Sequence, residues 1–379
     1  MHRSKKRLDV ISLVLVISAL ALGGCSAPPQ VIGISNPSIS AESVPNITRH
    51  RIFITTTRRP SDEPGAFLGP GRALELGVAS VDVTIPPTHI TGQLERPKQL
   101  PPDPRKEFTV INPVTYQSDA ALIAGINREL AKRKPGDRRL LLFVHGFNNT
   151  ASDATLRLAQ FVEDTGFKGV PVLLTWASAA KASRYVYDLN SALIARAAVG
   201  EIADILVRTN AESNDVFAHS MGTFLTMEGL LDQQQKGDLG HRNPINHIML
   251  AAPDIDFDLF RTQLKQLSPE IRKKMFILVS KDDKALRLST RIAGGVPRVG
   301  VANTAELESL GLTVIDLSEI SDSSSGSHSK YAGSPEVVQL IGAGLNSVSR
   351  FHTDNRSAVQ QILAASPIRI FGNGTGFSN

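Results

Sequence analysis

From residue 118 onward, amphipathic segments alternate with short apolar runs. Residues 119–133 have the apolar spacing of a helix, which Pro135 and Gly136 end. The next run, 139–144, is apolar after its first residue, as expected of a strand that is buried on both faces. This alternation predicts an α/β fold in which helices cover both faces of a mostly parallel sheet.

The same pattern continues toward the C-terminus. Apolar stretches predict further strands at 170–176, 216–218, 247–252, 274–280 and 312–317. Helices are predicted at 223–235, 257–266, 285–292 and 335–347, and one long helix or two shorter ones at 183–209. Before residue 118, the β-branched or alternating stretches 51–57, 78–85 and 108–111 predict an antiparallel N-terminal edge of the sheet. These early strands contain no motif that we can assign to chemistry.

The first 25 residues have the pattern of an export signal. A basic start precedes the apolar run 10–22, which at about 13 residues is short for a membrane span of roughly 17–25. Leu22-Gly23-Gly24-Cys25 resembles the lipobox of bacterial lipoproteins, in which the signal is cut before a lipidated cysteine. The alternative is an uncleaved N-terminal anchor with an incidental thiol. Since Cys25 is the only cysteine, no intramolecular disulfide is possible.

Composition excludes several classes of protein. The chain has 379 residues and a formal net charge of +5, but four of the positive residues lie among the first seven. No basic run with interleaved aromatic residues marks a nucleic-acid interface, and no residues have the spacing of metal ligands. We expect a signal peptide at 1–24 and a flexible tether at 25–46. The α/β domain, which would contain the catalytic residues discussed below, is expected at 47–350, and a partly disordered C-terminal extension at 351–379.

The stretch Ala218-His219-Ser220-Met221-Gly222 lies between a predicted strand and a predicted helix. α/β-Hydrolases present a nucleophilic serine in this setting, on a tight turn whose flanking positions must be small. In that fold the serine is followed along the chain first by an acid and then by a histidine. The chain order therefore restricts which residues can complete a triad with Ser220.

Four histidines follow the serine. His241 and His247 precede any suitable acid, so we interpret them as structural. His328 lies in a Ser/Gly-rich loop about a dozen residues after the last predicted strand, and we predict it to be the base. His352 is the alternative base.

The acid is expected directly after a strand. We favour Asp283, at the opening of the helix predicted at 285–292. Its neighbour Asp282 is an alternative, and so are Asp254 and Asp256, which follow the preceding strand.

The oxyanion formed during acyl transfer needs two backbone donors. One is predicted to be the N–H of Met221, after the nucleophile, and the other the N–H of Phe147, in the turn His145-Gly146-Phe147-Asn148-Asn149. Gly146 permits a close approach, and His145 is interpreted as a structural member of the turn. Asn148 or Asn149 either bonds across this turn or is an ordinary polar turn residue.

Several motifs together resemble a bacterial family of esterase/lipase-like α/β-hydrolases of largely unassigned function. They are His145-Gly146-Phe147-Asn148, Thr175-Trp176-Ala177-Ser178, Tyr187-Asp188 with Ser191-Ala192, the Ser220 motif, Ala252-Pro253-Asp254-Ile255-Asp256, and Ser280-Lys281-Asp282-Asp283-Lys284-Ala285-Leu286. The resemblance covers roughly residues 50–345 and implies the α/β-hydrolase fold and a triad, but no substrate. The family usually has Gly at the position of Ala218 and Pro at that of Ala177.

These features predict a serine hydrolase that acts on small-molecule or lipid carboxylic esters, without a cofactor. Lipidation at Cys25 would anchor it to a cell-envelope membrane, facing the periplasm. An acyltransferase with the same triad and a non-catalytic envelope lipoprotein are the alternatives. Trp176, Tyr185 and Tyr187 are expected beside the serine, where they either line an acyl pocket or belong to the core.

Overall fold

A single sheet organises the chain, whose computed structural model describes residues 35–63, 66–237, 239, 244–322, 326–346 and 356–372. Ten strands of this described part join the sheet. In chain order they are β1 (Thr48–Pro60), β2 (Leu68–Ile85), β3 (Thr109–Thr115), β4 (Arg139–Val144), β5 (Val170–Thr175), β6 (Ser213–His219), β7 (Ile245–Ala251), β8 (Met275–Val279), β9 (Thr313–Asp316) and β10 (Arg369–Phe371). Across the sheet the order is β10-β9-β8-β7-β6-β4-β5-β1-β2-β3.

The predicted α/β class with an antiparallel N-terminal edge is confirmed. Strands β4 to β9 pair in parallel with one another, and β1 extends this parallel block by pairing with β5. The pairs β1–β2 and β2–β3 are antiparallel. At the opposite edge, β10 pairs antiparallel with β9 in a region for which the sequence predicted only a loose tail.

Helices lie on both faces of the sheet. They are α1 (Asp119–Ala131), α2 (Ala151–Thr165), α3 (Tyr185–Val207), α4 (Met221–Lys236), α5 (Phe257–Gln266), α6 (Pro269–Arg272), α7 (Lys284–Ile292), α8 (Thr304–Ser309), α9 (Lys330–Gly333), α10 (Pro335–Leu345) and α11 (Arg356–Ala365). The predicted segment 183–209 is one long helix, α3, preceded by the 3-10 turn Ala182–Arg184.

Two separate hydrophobic cores show this layering. The core on one face contains apolar side chains of α1, α3, α4 and α5, and the core on the other face contains those of α2 and α10. All six residues of β4 are buried, because helices cover it from both sides. This explains why the run is apolar after its first residue, Arg139.

The strand order places the candidate chemistry at one edge of the sheet. Strands β4, β6, β7 and β8 are consecutive neighbours and run in parallel, so their carboxyl ends lie side by side. The segments that follow them contain Gly146, Ser220, Asp254 and Asp283 respectively. Ligand sites of open α/β sheets lie at this edge.

The N-terminal region is only partly described. Cys25 and the predicted signal lie outside the described residues. Residues 35–46, assigned above to the tether, pack on the folded part, where Ala41 and Val44 are buried and Asn36 Nδ2 donates to the carbonyl of Pro102 at 3.0 Å. Among the residues that the structure describes, no helix is both long and apolar enough to cross a membrane.

A partly buried imidazole attaches the loop between β2 and β3 to α2. Atom Nδ1 of His89 lies 2.8 Å from Oε2 of Glu95, and Nε2 lies 2.8 Å from Oδ1 of Asp164. Burial lowers the pKa of His89, but the hydrogen bonds to the two carboxylates outweigh it and raise the pKa to about 9. The ring is therefore positively charged at neutral pH.

The raised pKa of His89 predicts a pH-dependent contribution to stability. An unfolded histidine titrates at about 6.5, so the contribution is complete below that pH and is lost as the pH rises through 9. We expect the difference in unfolding free energy between wild type and His89→Gln to shrink by at most about 3 kcal/mol between pH 6.5 and 9.5. Urea denaturation at a series of pH values measures it. A difference that is constant over this range would contradict the assignment.

Candidate active site

Ser220 occupies a strained turn between β6 and α4. Its φ of 53° and ψ of −126° are unusual for a residue with a side chain. Two residues later, a Cβ on Gly222 would lie 2.3 Å from the carbonyl oxygen of His145, so only glycine fits where α4 passes β4. Ala218, the position where the resembling family usually has glycine, is fully buried and its methyl group is accommodated. The strand–serine–helix turn is thus formed as the sequence predicted.

The loop after β4 approaches the serine closely. A Cβ on Gly146 would lie 2.7 Å from Cβ of Ser220 and 3.0 Å from the carbonyl oxygen of His219. Glycine at this position therefore permits the contact between the two turns. The contact places the Gly146-Phe147 peptide beside the serine.

Asp283 and His328 form a hydrogen-bonded pair. Atom Nδ1 of His328 lies 2.6 Å from Oδ2 of Asp283, whose side chain is fully buried. The other carboxylate oxygen caps α7 by accepting the N–H of Leu286 at 2.9 Å. A proton on Nδ1 that is donated to Asp283 leaves Nε2 of His328 available as a base. Burial lowers the pKa of His328, and the neighbouring Asp283 carboxylate more than offsets this, so the pKa is raised overall.

His219 connects this pair to the serine turn. Its Nε2 lies 2.9 Å from the carbonyl oxygen of His328, and the two imidazole centroids are 4.7 Å apart. Burial, together with the charge of His328, lowers the pKa of His219 well below its ordinary value. His219 is thus neutral and donates Nε2–H to that carbonyl. Among the described residues, no hydrogen bond joins Ser220 Oγ to His328, so the serine and the Asp283–His328 pair are neighbours through His219.

The alternative acids have other partners. Asp282 accepts hydrogen bonds from Lys330 Nζ at 2.8 Å and from Ser280 Oγ at 2.5 Å. Asp256 caps α5 through the N–H groups of its first turn. Neither therefore has the contact with His328 that Asp283 has.

Asp254 belongs to a buried network beside the serine. Its backbone N–H donates to the carbonyl of Ser220 at 3.3 Å. Its carboxylate accepts hydrogen bonds from Tyr185 Oη at 3.0 Å and Ser289 Oγ at 2.5 Å, and it pairs with Arg298 Nε at 3.3 Å. Asp254 therefore holds the side chains of Tyr185, Ser289 and Arg298 next to the serine turn.

The remaining histidines after the serine are placed as follows. His247 lies within β7 and its Nδ1 is 2.7 Å from Oδ1 of Asp215 in β6, in a buried contact within the sheet. His241 and the alternative base His352 lie outside the described residues.

Two backbone N–H groups next to the serine turn have no backbone acceptor among the described residues. One is that of Met221, the first residue of α4, which has no carbonyl partner within its helix. The other is that of Phe147. Across the same turn, Asn149 Nδ2 donates to the carbonyls of Gly146 at 3.2 Å and Phe147 at 2.9 Å. The predicted bond across the turn is therefore made by Asn149.

The aromatic residues expected beside the serine have different environments. Trp176 is fully buried, stacks on His145 at 5.1 Å between centroids and donates Nε1–H to its carbonyl at 2.8 Å. Tyr185 packs edge-on against Phe147 at 5.3 Å. Tyr187 lies under the guanidinium of Arg72 at 4.1 Å. Trp176 is thus a core residue, whereas Tyr185 lies at the site.

Burial keeps His145 neutral. Burial, followed by the nearby charge of Arg58, lowers the pKa of His145 to about 3. Sequence reasoning did not identify Arg58, which lies in β1 and is only 3% exposed. The sequence indicated only a charged residue at the end of a β-branched run. A strand that emerges into solvent gives the same pattern, so the sequence did not indicate that Arg58 is buried.

The pair predicts a coupling that is measurable without any substrate. We expect Asp283→Asn to lower the pKa of His328, because the carboxylate that favours the imidazolium is removed. Titration of the ring protons of His328 by NMR measures this. Asp282→Asn is the matched control, since its carboxylate contacts Lys330 instead. An equal shift in both variants would contradict a specific Asp283–His328 pair.

Comparison with known proteins gives one family. Residues 118–344 match the family described as "Alpha/beta hydrolase of unknown function (DUF900)". No curated protein matches the chain. Among solved structures, a chain from a structural analysis of two esterases of the fungus Rhizomucor miehei is similar with 14% identity and a TM-score of 0.34, over 80% of this chain and 85% of that one. Because the family match spans more than half of the sequence, the chain belongs to this family of α/β-hydrolases of unknown function.

Proposed function

We propose that the protein is a serine hydrolase that cleaves carboxylic esters. The observation that carries this proposal is the Asp283–His328 hydrogen bond, at the sheet edge where Ser220 occupies its strained turn. A serine hydroxyl becomes an effective nucleophile when a base accepts its proton, and the base needs an acid to fix its tautomer. Membership of an α/β-hydrolase family supports this reading.

In the proposed mechanism, Ser220 Oγ attacks the ester carbonyl while Nε2 of His328 accepts its proton. Asp283 stabilises the imidazolium that forms and remains ionised. The imidazolium then donates the proton to the departing alcohol, which leaves an acyl group on Ser220. Water, deprotonated by the same imidazole, releases the acid and regenerates the serine.

The oxyanion of each tetrahedral intermediate requires fixed donors. We assign this role to the N–H groups of Met221 and Phe147, since one follows the nucleophile and the other lies in the loop against it. Each such donor contributes about 2.7–4 kcal/mol to lowering the barrier. Met221 also begins α4, so the positive end of the helix dipole favours negative charge at the same point.

Active-site labelling tests the proposal. We expect a fluorophosphonate probe to label the purified protein, and Ser220→Ala to abolish labelling because the nucleophile is removed. His328→Ala should slow labelling by about 10⁴-fold or more, as loss of the base does in other triads.

His352→Ala is the control for the base, because the sequence left that residue as the alternative. Unchanged labelling of Ser220→Ala would overturn the assignment of the nucleophile. Slow labelling of His352→Ala together with normal labelling of His328→Ala would transfer the role of base to His352.

The N-terminal motif supports a second, separate proposal about location. We propose that Cys25 is lipidated and anchors the enzyme at a cell-envelope membrane, where lipid esters are accessible. We expect radiolabelled palmitate to be incorporated into the full chain in a bacterial host, and not into Cys25→Ser. Since the chain has no other cysteine, S-acylation elsewhere does not confuse the result. An unlabelled wild type would favour an uncleaved anchor.

A further inference from the structure

A fully enclosed guanidinium lies behind the loop that follows β4. Arg58 lies just after a register shift in β1, and its side chain is turned into the protein. Atom Nη2 donates to the carbonyl of Asn149 at 2.8 Å, and Nη1 donates to the carbonyl of Ser178 at 3.0 Å. Atom Nε donates to the hydroxyl of Thr175 at 2.8 Å. Arg58 thus binds acceptors on two loops, 146–149 and 177–180.

Asp188, in the first turn of α3, binds donors on the same two loops. Its carboxylate accepts the N–H of Ala179 at 2.7 Å and that of Asn148 at 3.3 Å, and the hydroxyl of Ser178 at 2.5 Å. The Asp188 side chain is completely buried. The guanidinium therefore fixes carbonyl groups and the carboxylate fixes N–H groups of one pair of loops. Asp188 was noticed in the sequence only as part of a family resemblance.

A chain of hydrogen bonds extends from Arg58 to the Gly146 carbonyl. The Thr175 hydroxyl that accepts from Arg58 lies 3.2 Å from Nε2 of His145 and donates to it. The neutral His145 then donates Nδ1–H to the carbonyl of Gly146 at 2.9 Å. The direction of these bonds follows from the Gly146 carbonyl, which can only accept, so the single proton of the neutral His145 ring is on Nδ1. Nε2 therefore accepts from the Thr175 hydroxyl.

Because a peptide group is planar, these contacts also fix the direction of the Phe147 N–H, the proposed oxyanion donor. The carbonyl of Gly146 and the N–H of Phe147 belong to one planar trans peptide, so fixing the first aims the second in the opposite direction. The next peptide is fixed at both ends, by Asn149 Nδ2 on the Phe147 carbonyl and by Asp188 on the Asn148 N–H. Both peptide planes around Phe147 are therefore oriented by side chains behind the loop.

We propose that Arg58 and Asp188 form a buried clamp that positions the Phe147 N–H for the oxyanion, so that both are positioning residues of the hydrolase. This inference rests on the proposed function, because it assigns a purpose to the orientation of one proposed oxyanion donor. The clamp buries two opposite charges. Replacing a buried charge pair by apolar residues of similar volume often leaves the stability of a protein unchanged or increases it. Apolar residues could not align the backbone groups, whereas the guanidinium donates to the carbonyl groups and the carboxylate accepts from the N–H groups.

Three variants test the clamp by the rate of fluorophosphonate labelling, resolved into the probe's binding constant and the rate constant of phosphonylation. We expect Arg58→Met and Asp188→Asn to lower the phosphonylation rate constant by about 10- to 100-fold, less than complete loss of a donor. The binding constant should change by less than about 2-fold, because the donor acts on the transition state. Thr175→Val, which removes only the connecting hydroxyl, should give a smaller loss in the same direction.

Arg139→Met is the matched control, since Arg139 is also a buried arginine, 4% exposed, but lies at the opposite end of the sheet in the first position of β4. It should lower the melting temperature and leave the phosphonylation rate constant unchanged. Added guanidinium ion should partly restore the phosphonylation rate constant of Arg58→Ala. A side chain that only stabilised the fold would not require this rescue.

The outcomes separate the clamp from the mechanism. Absence of labelling in the wild type would overturn the proposed function and the clamp with it. Labelling of folded Arg58→Met and Thr175→Val at the wild-type rate would overturn the clamp alone. A loss in Arg139→Met equal to that in Arg58→Met would also overturn it, because the effect would then follow stability. Thr175→Val keeps the test decisive should the charge variants fail to fold.

Discussion

The close passage of α4 over the end of β4 is the contact on which the candidate site depends. A side chain at Gly222 would collide with the carbonyl of His145, and one at Gly146 would collide with Ser220. These two glycines let the turns after neighbouring strands touch, while Ser220 between strand and helix has a strained backbone. A larger residue at either position would move α4 or the Gly146 loop outward. It would thereby separate the nucleophile from the Phe147 N–H, which lies on the Gly146 loop.

Three histidines lie within this contact region, and their environments give them different protonation states. His145 and His219 are buried without a carboxylate partner, so burial lowers the pKa of each and keeps it neutral. His328 is the one beside a buried carboxylate, and its pKa is raised. A general base must also hold the proton it has taken, so the carboxylate distinguishes His328 from its neighbours. The neutral pair instead donates to backbone carbonyls and fixes the loops.

The sequence predicted those parts of the site that depend on local pattern and chain order. Ser220, Asp283 and His328 follow the apolar strands β6, β8 and β9, and a parallel sheet brings the carboxyl ends of such strands to one edge whatever the loop lengths. The local pattern did not predict β10, whose pairing depends on a neighbour more than fifty residues earlier. It also did not identify the partners of Asp188, since an acid in the first turn of a helix is usually explained by the helix dipole alone. Such contacts arise from the packing of distant segments.

Arg58 shows why the direction of β1 matters. Strand β1 runs parallel to β5, with Thr56 opposite Thr175, so its carboxyl end emerges at the same edge as Ser220. An antiparallel β1 would carry Arg58 to the far edge. Three of the groups that the guanidinium binds, on Asn149, Thr175 and Ser178, lie within residues 118–344, whereas Arg58 does not. The fourth, the carbonyl of Gly69 at 3.3 Å, belongs to β2. Without β1, buried carbonyls of the family-matched segment would lose their donor, at a cost comparable to an unmade hydrogen bond for each. The N-terminal hairpin is therefore part of the structure that supports the site, although its own sequence contains no catalytic motif.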